Sequence, residues 1–205
     1  MDNQQAYNLW AEQYDTNKNL TRDVEAKALR TTLDKFSFDA VLEIGCGTGK
    51  NSGWFVTKAD KVLSVDFSEE MLAKAKQKVT SPNIQFHQAD ITKLWDFTEK
   101  KFDLISFSLV LEHIKDLHFI FEQASQKIQP GGHIYIGELH PFKQYAGSVA
   151  RFDVKEETVK LECYQHHISE FIREAAAFNF SLVELNEWFD EENSLPRILT
   201  LLFKA

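Results

Sequence analysis

The stretch Ala40-Val41-Leu42-Glu43-Ile44-Gly45-Cys46-Gly47-Thr48-Gly49 decides how this chain folds. The apolar run before the first glycine is the length and composition of a buried strand. Three glycines at alternate positions then form a turn in which the backbone adopts angles a Cβ forbids and comes close to a ligand. Residues 50–58 are expected to continue as a helix. A strand, a glycine turn and a helix start make a cradle at the carboxyl end of a parallel sheet, with backbone N–H groups expected to face the ligand.

The spacing excludes two common cradles. A dinucleotide fingerprint needs glycines at the first, third and sixth places, and the sixth here is Lys50. A phosphate loop needs Ser or Thr after Gly49-Lys50 and a glycine where Ile44 stands, but Asn51 follows the lysine. What remains, Glu43-x-Gly45-x-Gly47-x-Gly49, resembles motif I of the class I S-adenosylmethionine-dependent methyltransferases; read alone, it is also a tight strand-to-helix turn.

The chain has 205 residues, a net charge of −8 and 43% hydrophobic residues, which suits one globular unit with a sizeable core. The charge argues against broad nucleic-acid binding, which needs clustered Lys and Arg. The polar N-terminus carries no signal-peptide pattern, and no apolar run approaches the ~20 residues of a membrane helix. Cys46 and Cys163 form no ligand spacing or disulfide framework, so a reducing cytoplasm is expected.

Outward from the cradle, Tyr7, Trp10 and Tyr14 share a helical spacing over residues 3–14, and Val24, Ala28 and Leu33 do so over residues 21–35. The polar residues 15–19 separate these two helices. Residues 61–66 read as a second strand ending in Asp66, 21 residues after Gly45, where a carboxylate can accept both hydrogen bonds of a ribose diol. Ser68 caps the helix that follows, with Met71, Leu72, Ala75 and Val79 on its inner face. Residues 83–87 form a third strand and reach Asp90, which can be a turn former or a ligand group. Residues 102–108 form a fourth, nearly continuous apolar strand. An amphipathic helix stops at Pro130-Gly131-Gly132, and a fifth strand follows. Residues 143–165 are irregular, residues 168–179 helical, and residues 180–187 and 197–203 a closing strand pair.

The order of these landmarks resembles the methyltransferase class over residues 38–205. The resemblance implies an α/β, Rossmann-like three-layer sandwich. Its seven-stranded, mostly parallel sheet would have the order 3-2-1-4-5-7-6, with the last strand antiparallel. Residues 1–37 would be a helical cap, 38–142 the cofactor-binding half, and 143–205 the substrate-side insertion, helix and hairpin. It further implies S-adenosyl-L-methionine as cofactor, S-adenosyl-L-homocysteine as product, and a small-molecule acceptor. The cofactor positions so implied are Tyr14 in the cap, Glu43, Gly45, Cys46 and Gly47 in the loop, Asp66, Phe67 and Met71 after the second strand, Asp90 and Ile91 after the third, and Ser108 after the fourth. The Asn/Asp-Pro-Pro-aromatic segment of enzymes acting on DNA base amino groups is missing after Ser108.

In-line methyl transfer needs a nucleophile held behind the methyl carbon, and a protein base only when the acceptor must lose a proton. Candidate bases are His140, at a strand tip on the expected active face, His166, His167 and Glu138; the sequence ranks none above the others, and His140 beside Pro141 can equally be a histidine hydrogen-bonded in a loop. His113 could touch ligand or make a structural hydrogen bond. A protein that binds the cofactor without catalysis is the alternative reading.

Overall fold

The computed structural model describes residues 1–16, 18–154, 157–190 and 194–205. Asn17 of the polar turn, residues 155–156 of the irregular segment and residues 191–193 of the final loop lie outside the described residues.

The described chain runs α1 (Asn3–Trp10), α2 (Leu20–Leu33), β1 (Phe38–Ile44), α3 (Ser52–Phe55), β2 (Ala59–Asp66), α4 (Glu69–Lys78), β3 (Ile84–Gln88) and β4 (Phe102–Ser108). A single 3-10 turn, Leu111–His113, precedes α5 (Leu117–Lys127), β5 (Ile128–Leu139), α6 (Pro141–Tyr145), β6 (Arg151–Val154), β7 (Glu157–Lys160), α7 (Ile168–Ala177), β8 (Ser181–Trp188) and β9 (Ile198–Lys204). The seven-stranded sheet has the order β3-β2-β1-β4-β5-β9-β8, and β6 and β7 form a separate two-stranded sheet. β1 to β5 pair in parallel, and β9 runs antiparallel to both its neighbours. This is the expected order, with the β6–β7 hairpin as an addition inside the segment read as irregular.

Alternation along β1 divides the core between the two sheet faces. Leu42 and Ile44 join Ile105, Phe107, Trp95, Phe121 and Ile136 under α5 and α7. Val41 joins Leu29, Leu33, Phe55, Leu104 and Tyr135 on the side of α2 and α3. A third cluster of Ala6, Trp10, Ala11, Met71, Phe152 and Leu161 seats α1 against α4 and the hairpin. Trp10 stacks on Phe152 with ring centroids 4.9 Å apart and planes 9° apart, a pair worth about 0.5–1.5 kcal/mol beyond its buried area.

Besides α6 and the β6–β7 hairpin, which the sequence reading did not contain, three expected elements differ in extent. α1 ends at Trp10, and tighter turns carry on, with Gln13 N–H bonding to the Trp10 carbonyl (3.1 Å) and Thr16 N–H to that of Gln13 (3.2 Å). The aromatic spacing survives because Tyr14 still meets Trp10 edge-on, 4.9 Å between centroids. α3 is one turn, not nine residues, since residues 47–51 are taken up by turns. β5 begins at Ile128, ahead of the Pro-Gly-Gly, and an irregularity between Phe102 and Leu104 absorbs the extra residues.

Candidate active site

Strand order reverses between β1 and β4, so their carboxyl ends splay and open a crevice. A cavity of 680 Å³ lies there, within the usual range for small-molecule sites. Every parallel strand from β1 to β4 contributes its tip to the lining: Gly45 and Gly47, Asp66 and Phe67, Asp90 and Ile91, Ser108 to Val110. α1 closes it from above with Asn3, Gln4 and Tyr7, and Tyr14 follows.

The glycine loop works differently from the expected amide cradle. The N–H groups of Gly45 and Cys46 bond back to the Val65 carbonyl (2.8 and 3.0 Å), and that of Gly49 to the Cys46 carbonyl (2.9 Å). Gly47 N–H donates to Asp66 Oδ2 at 2.8 Å. These amides hold the loop to β2 and to itself. The glycines instead supply space and backbone freedom. Gly47 has φ +52°, and a Cβ there would meet nothing nearer than Tyr14 Cε1 at 4.0 Å, so the loop presents bare main chain to the cavity. Gly49 has φ +80°, and its Cβ would press on Ala75 at 3.2 Å, so its absence lets α4 approach.

Asp66 joins loop and helix. It accepts Gly47 N–H through Oδ2 and Ser68 N–H through Oδ1, at 2.8 and 2.9 Å. Burial pushes its carboxyl up to about 6, against the pull of those two amides. Asp90 Oδ1 accepts Thr92 N–H (2.9 Å) and the Thr92 hydroxyl (2.6 Å), so the carboxylate is both turn former and cavity wall. Phe67 and Ile91 give the wall between the two acids an apolar surface. Two acids, apolar flanks and an unobstructed backbone fit a nucleoside joined to an amino acid.

The structure brings eight of the eleven expected cofactor positions to this cavity: Tyr14, Gly45, Gly47, Asp66, Phe67, Asp90, Ile91 and Ser108. Glu43, Cys46 and Met71 are buried behind it. The hydroxyls of Ser52 and Ser64 both donate to Glu43 Oε2 at 2.5 Å, and Met71 belongs to the seam under α1. Cys46 points its thiol toward the Gly47 carbonyl, 3.8 Å away.

None of the candidate bases lines the cavity. His140 is 1% exposed and spends both ring nitrogens: Nδ1 accepts Phe142 N–H at 3.2 Å, so Nε2 carries the hydrogen and donates to Glu187 at 2.9 Å. It borders a second cavity of 530 Å³ with Phe142, Tyr145 and His167. His166 Nε2 donates to the Ile114 carbonyl at 2.7 Å, and His167 Nδ1 meets the Tyr145 hydroxyl at 2.7 Å. Glu138 Oε1 accepts Val110 and Leu111 N–H at 2.9 and 2.8 Å, shaping the loop after β4. Burial, with Glu112 beside it, raises the Glu138 carboxyl to about 8. The histidine that does line the cavity is His113. Its only sequence signal is its place just past the tip of the fourth strand.

The fold is the Rossmann-like one seen in class I methyltransferases. Residues 42–136, a little under half of the chain, match the family model described as "Methyltransferase domain". An uncharacterized methyltransferase of Emericella nidulans is 24% identical over 220 residues, 89% of this chain and 77% of that protein. A malonyl-[acyl-carrier protein] O-methyltransferase of Hamiltonella defensa is 33% identical over 135 residues, 65% of this chain; the chain spans only 50% of that relative's length. Among solved structures, the N-methyltransferase NodS of Bradyrhizobium japonicum WM9, in complex with S-adenosyl-L-homocysteine, superposes with a TM-score of 0.77 at 17% identity. That match covers 100% of this chain and 99% of the other. Among the described residues no helix is long and apolar enough to cross a membrane.

Proposed function

We propose that this protein binds S-adenosylmethionine in the 680 Å³ cavity and transfers its methyl group to a small-molecule acceptor. One observation carries the reading: the tips of four consecutive parallel strands meet in one cavity, with bare main chain at Gly47 and carboxylates at Asp66 and Asp90. Asp66 takes the ribose hydroxyls, Asp90 faces the adenine amino group, and Phe67 and Ile91 flank the ring. Gly47 and Ser108 border the amino-acid half under Tyr14. On this reading the nucleoside lies over β2 and β3, neighbours in the sheet, and the β4 side is left for the acceptor. Bound there, the cofactor supplies an electrophilic methyl carbon; the chain supplies orientation, which contributes roughly 7–11 kcal/mol in favourable systems. Two free cysteines accord with a cytoplasmic setting.

Calorimetry tests this directly. S-adenosylhomocysteine should bind and NAD should not, and the reverse would end the assignment. Asp66 adds a pH signature. Its carboxyl is ionised above about 6, where it accepts both ribose hydroxyls; below that it is protonated, and the charge-assisted bonds are lost. Affinity for S-adenosylhomocysteine should therefore fall as pH drops from 7 to 5. Asp66→Ala should weaken binding more than tenfold and abolish that dependence.

A further inference from the structure

Two features of the cavity concern the acceptor, and both rest on the methyl-transfer reading above. The first is the hydrogen bonding of His113. Its Nδ1 lies 2.8 Å from the Glu162 carbonyl oxygen, which can only accept, so Nδ1 carries the hydrogen. Nε2 is then an acceptor, and the Tyr7 hydroxyl 2.8 Å away donates to it. The Asn3 side-chain amide approaches Nδ1 only to 3.4 Å and donates instead to the same Glu162 carbonyl at 2.9 Å. Glu112 Oε1 stands 4.0 Å from Nε2, placed to stabilise an imidazolium. Cys163 Sγ is 3.8 Å from Nδ1, and burial with Glu112 nearby pushes that thiol up to about 11, which keeps it neutral. Tyr7 is held as a neutral phenol by burial, with Tyr14, Glu112 and Asp66 adding to the effect. Tyr7 and His113 both line the cavity: His113 follows β4, five residues past Ser108, and Tyr7 reaches it from α1 while its ring also packs edge-on against Phe67, 5.8 Å between centroids.

The second feature is charge. Four acidic residues line the cavity, Asp2, Asp66, Asp90 and Glu162, and among the described residues no lysine or arginine does. Asp66 and Asp90 are assigned to the cofactor. A carboxylate or phosphate acceptor would enter an acidic site in which no lysine or arginine lines the wall to pair with it. It would also have no use for a base, because it is already ionised at neutral pH.

We propose that Tyr7 and His113 form a proton relay for an uncharged or cationic protic acceptor, a phenol, alcohol or amine, and that carboxylates and phosphates are not substrates. The acceptor X–H gives its proton to the Tyr7 oxygen as the hydroxyl proton of Tyr7 passes to His113 Nε2. The lone pair on X forms the bond to the methyl carbon. The carbon–sulfur bond breaks with its pair left on sulfur, so the sulfonium charge is lost as the imidazolium charge appears. Water then removes the proton from His113 beside Glu112.

The tautomer can be read without an acceptor, by nitrogen-15 NMR of the imidazoles in the full chain. The relay requires the neutral ring of His113 to be protonated at Nδ1, with an Nε2 resonance that moves in Tyr7→Phe; protonation at Nε2 removes the relay. The acceptor class is read with methyl-labelled S-adenosylmethionine and two panels. One is built on tyramine, catechol and benzyl alcohol, the other on benzoate, citrate and phenyl phosphate. Label should enter the first panel only. Tyr7→Phe and His113→Gln should each lower kcat by about 100-fold or more, with S-adenosylhomocysteine affinity held within a few-fold as the control for folding. Label in the second panel, or variants with undiminished kcat, would overturn the proposal. Bound S-adenosylhomocysteine with no label transferred in either panel would overturn catalysis itself and the relay with it.

Discussion

Within the glycine loop, identical residues answer to different forces. Gly47 and Gly49 both have positive φ, so any side chain at either carries the left-handed penalty of roughly 1–2 kcal/mol. Their surroundings then diverge. A Cβ at Gly47 enters the cavity facing Tyr14, whereas a Cβ at Gly49 strikes α4 at Ala75 and Val79. Gly47→Val should therefore abolish S-adenosylhomocysteine binding at a modest cost in melting temperature, with the circular dichroism unchanged. Gly49→Ala should do the opposite. It should lower the melting temperature further, because strain and overpacking add, while the molecules that remain folded bind with near-normal affinity. Calorimetry beside a thermal melt separates the two. Equal losses of binding in both variants would mean that the loop acts as one rigid body, and that the separate roles drawn from its contacts are wrong.

At the scale of elements, caps and spacing were the legible part. Ser68 shows why. Its hydroxyl oxygen accepts Met71 N–H at 3.1 Å, the N-cap bond its position ahead of Glu69-Glu70 predicted. The same hydroxyl also donates to Asn8 Oδ1 at 2.7 Å, tying α4 to the cap helix α1. No local pattern announces that second bond, since 60 residues separate the partners. Ser68→Ala should cost about 1 kcal/mol of stability by denaturant titration from the cap alone. It should also speed amide exchange in α1, which Ala at a surface cap elsewhere, such as Asp116→Ala at α5, would leave untouched. The same division runs through the site. Asp66 was legible because βαβ geometry fixes its distance from Gly45. Tyr7 was read only as one residue of an aromatic face, and His113 only as a loop histidine. What joins them is a fold-back of 106 residues that puts α1 across the tip of β4. His140 misled for a related reason. A strand tip on the active face is the right address, but Glu187 on β8 and the Phe142 amide had already claimed its two nitrogens. The amides of the glycine loop were misassigned because a strand neighbour, the Val65 carbonyl, competes for them, and strand neighbours follow from topology, not spacing.

Taken as a whole, the molecule buries acids. Glu25, Glu43, Asp66, Glu112 and Glu138 are all at most 8% exposed, and burial raises the carboxyl of each. Glu43 sits next to the carboxyl end of β1, where burial takes it to about 7 against the pull of the Ser52 and Ser64 hydroxyls. In the unfolded chain a glutamate releases its proton near 4.5, while folded Glu43 keeps it to about 7. Between those values the unfolded state binds fewer protons, so stability falls as pH rises and levels off above 7. Below 4.5 both states are protonated and nothing is lost. Glu43→Gln removes this titration and keeps an amide oxygen that can accept both serine hydroxyls, which meet at a single oxygen of Glu43. Its stability should therefore exceed that of the wild type by about 1–3 kcal/mol at pH 8, with the difference shrinking to zero or reversing at pH 4.5, where the wild-type carboxyl is already neutral. Denaturant titrations of both proteins across that range give the test. A difference that did not change with pH would show that Glu43 stays ionised in the folded core, with Ser52 and Ser64 outweighing its burial.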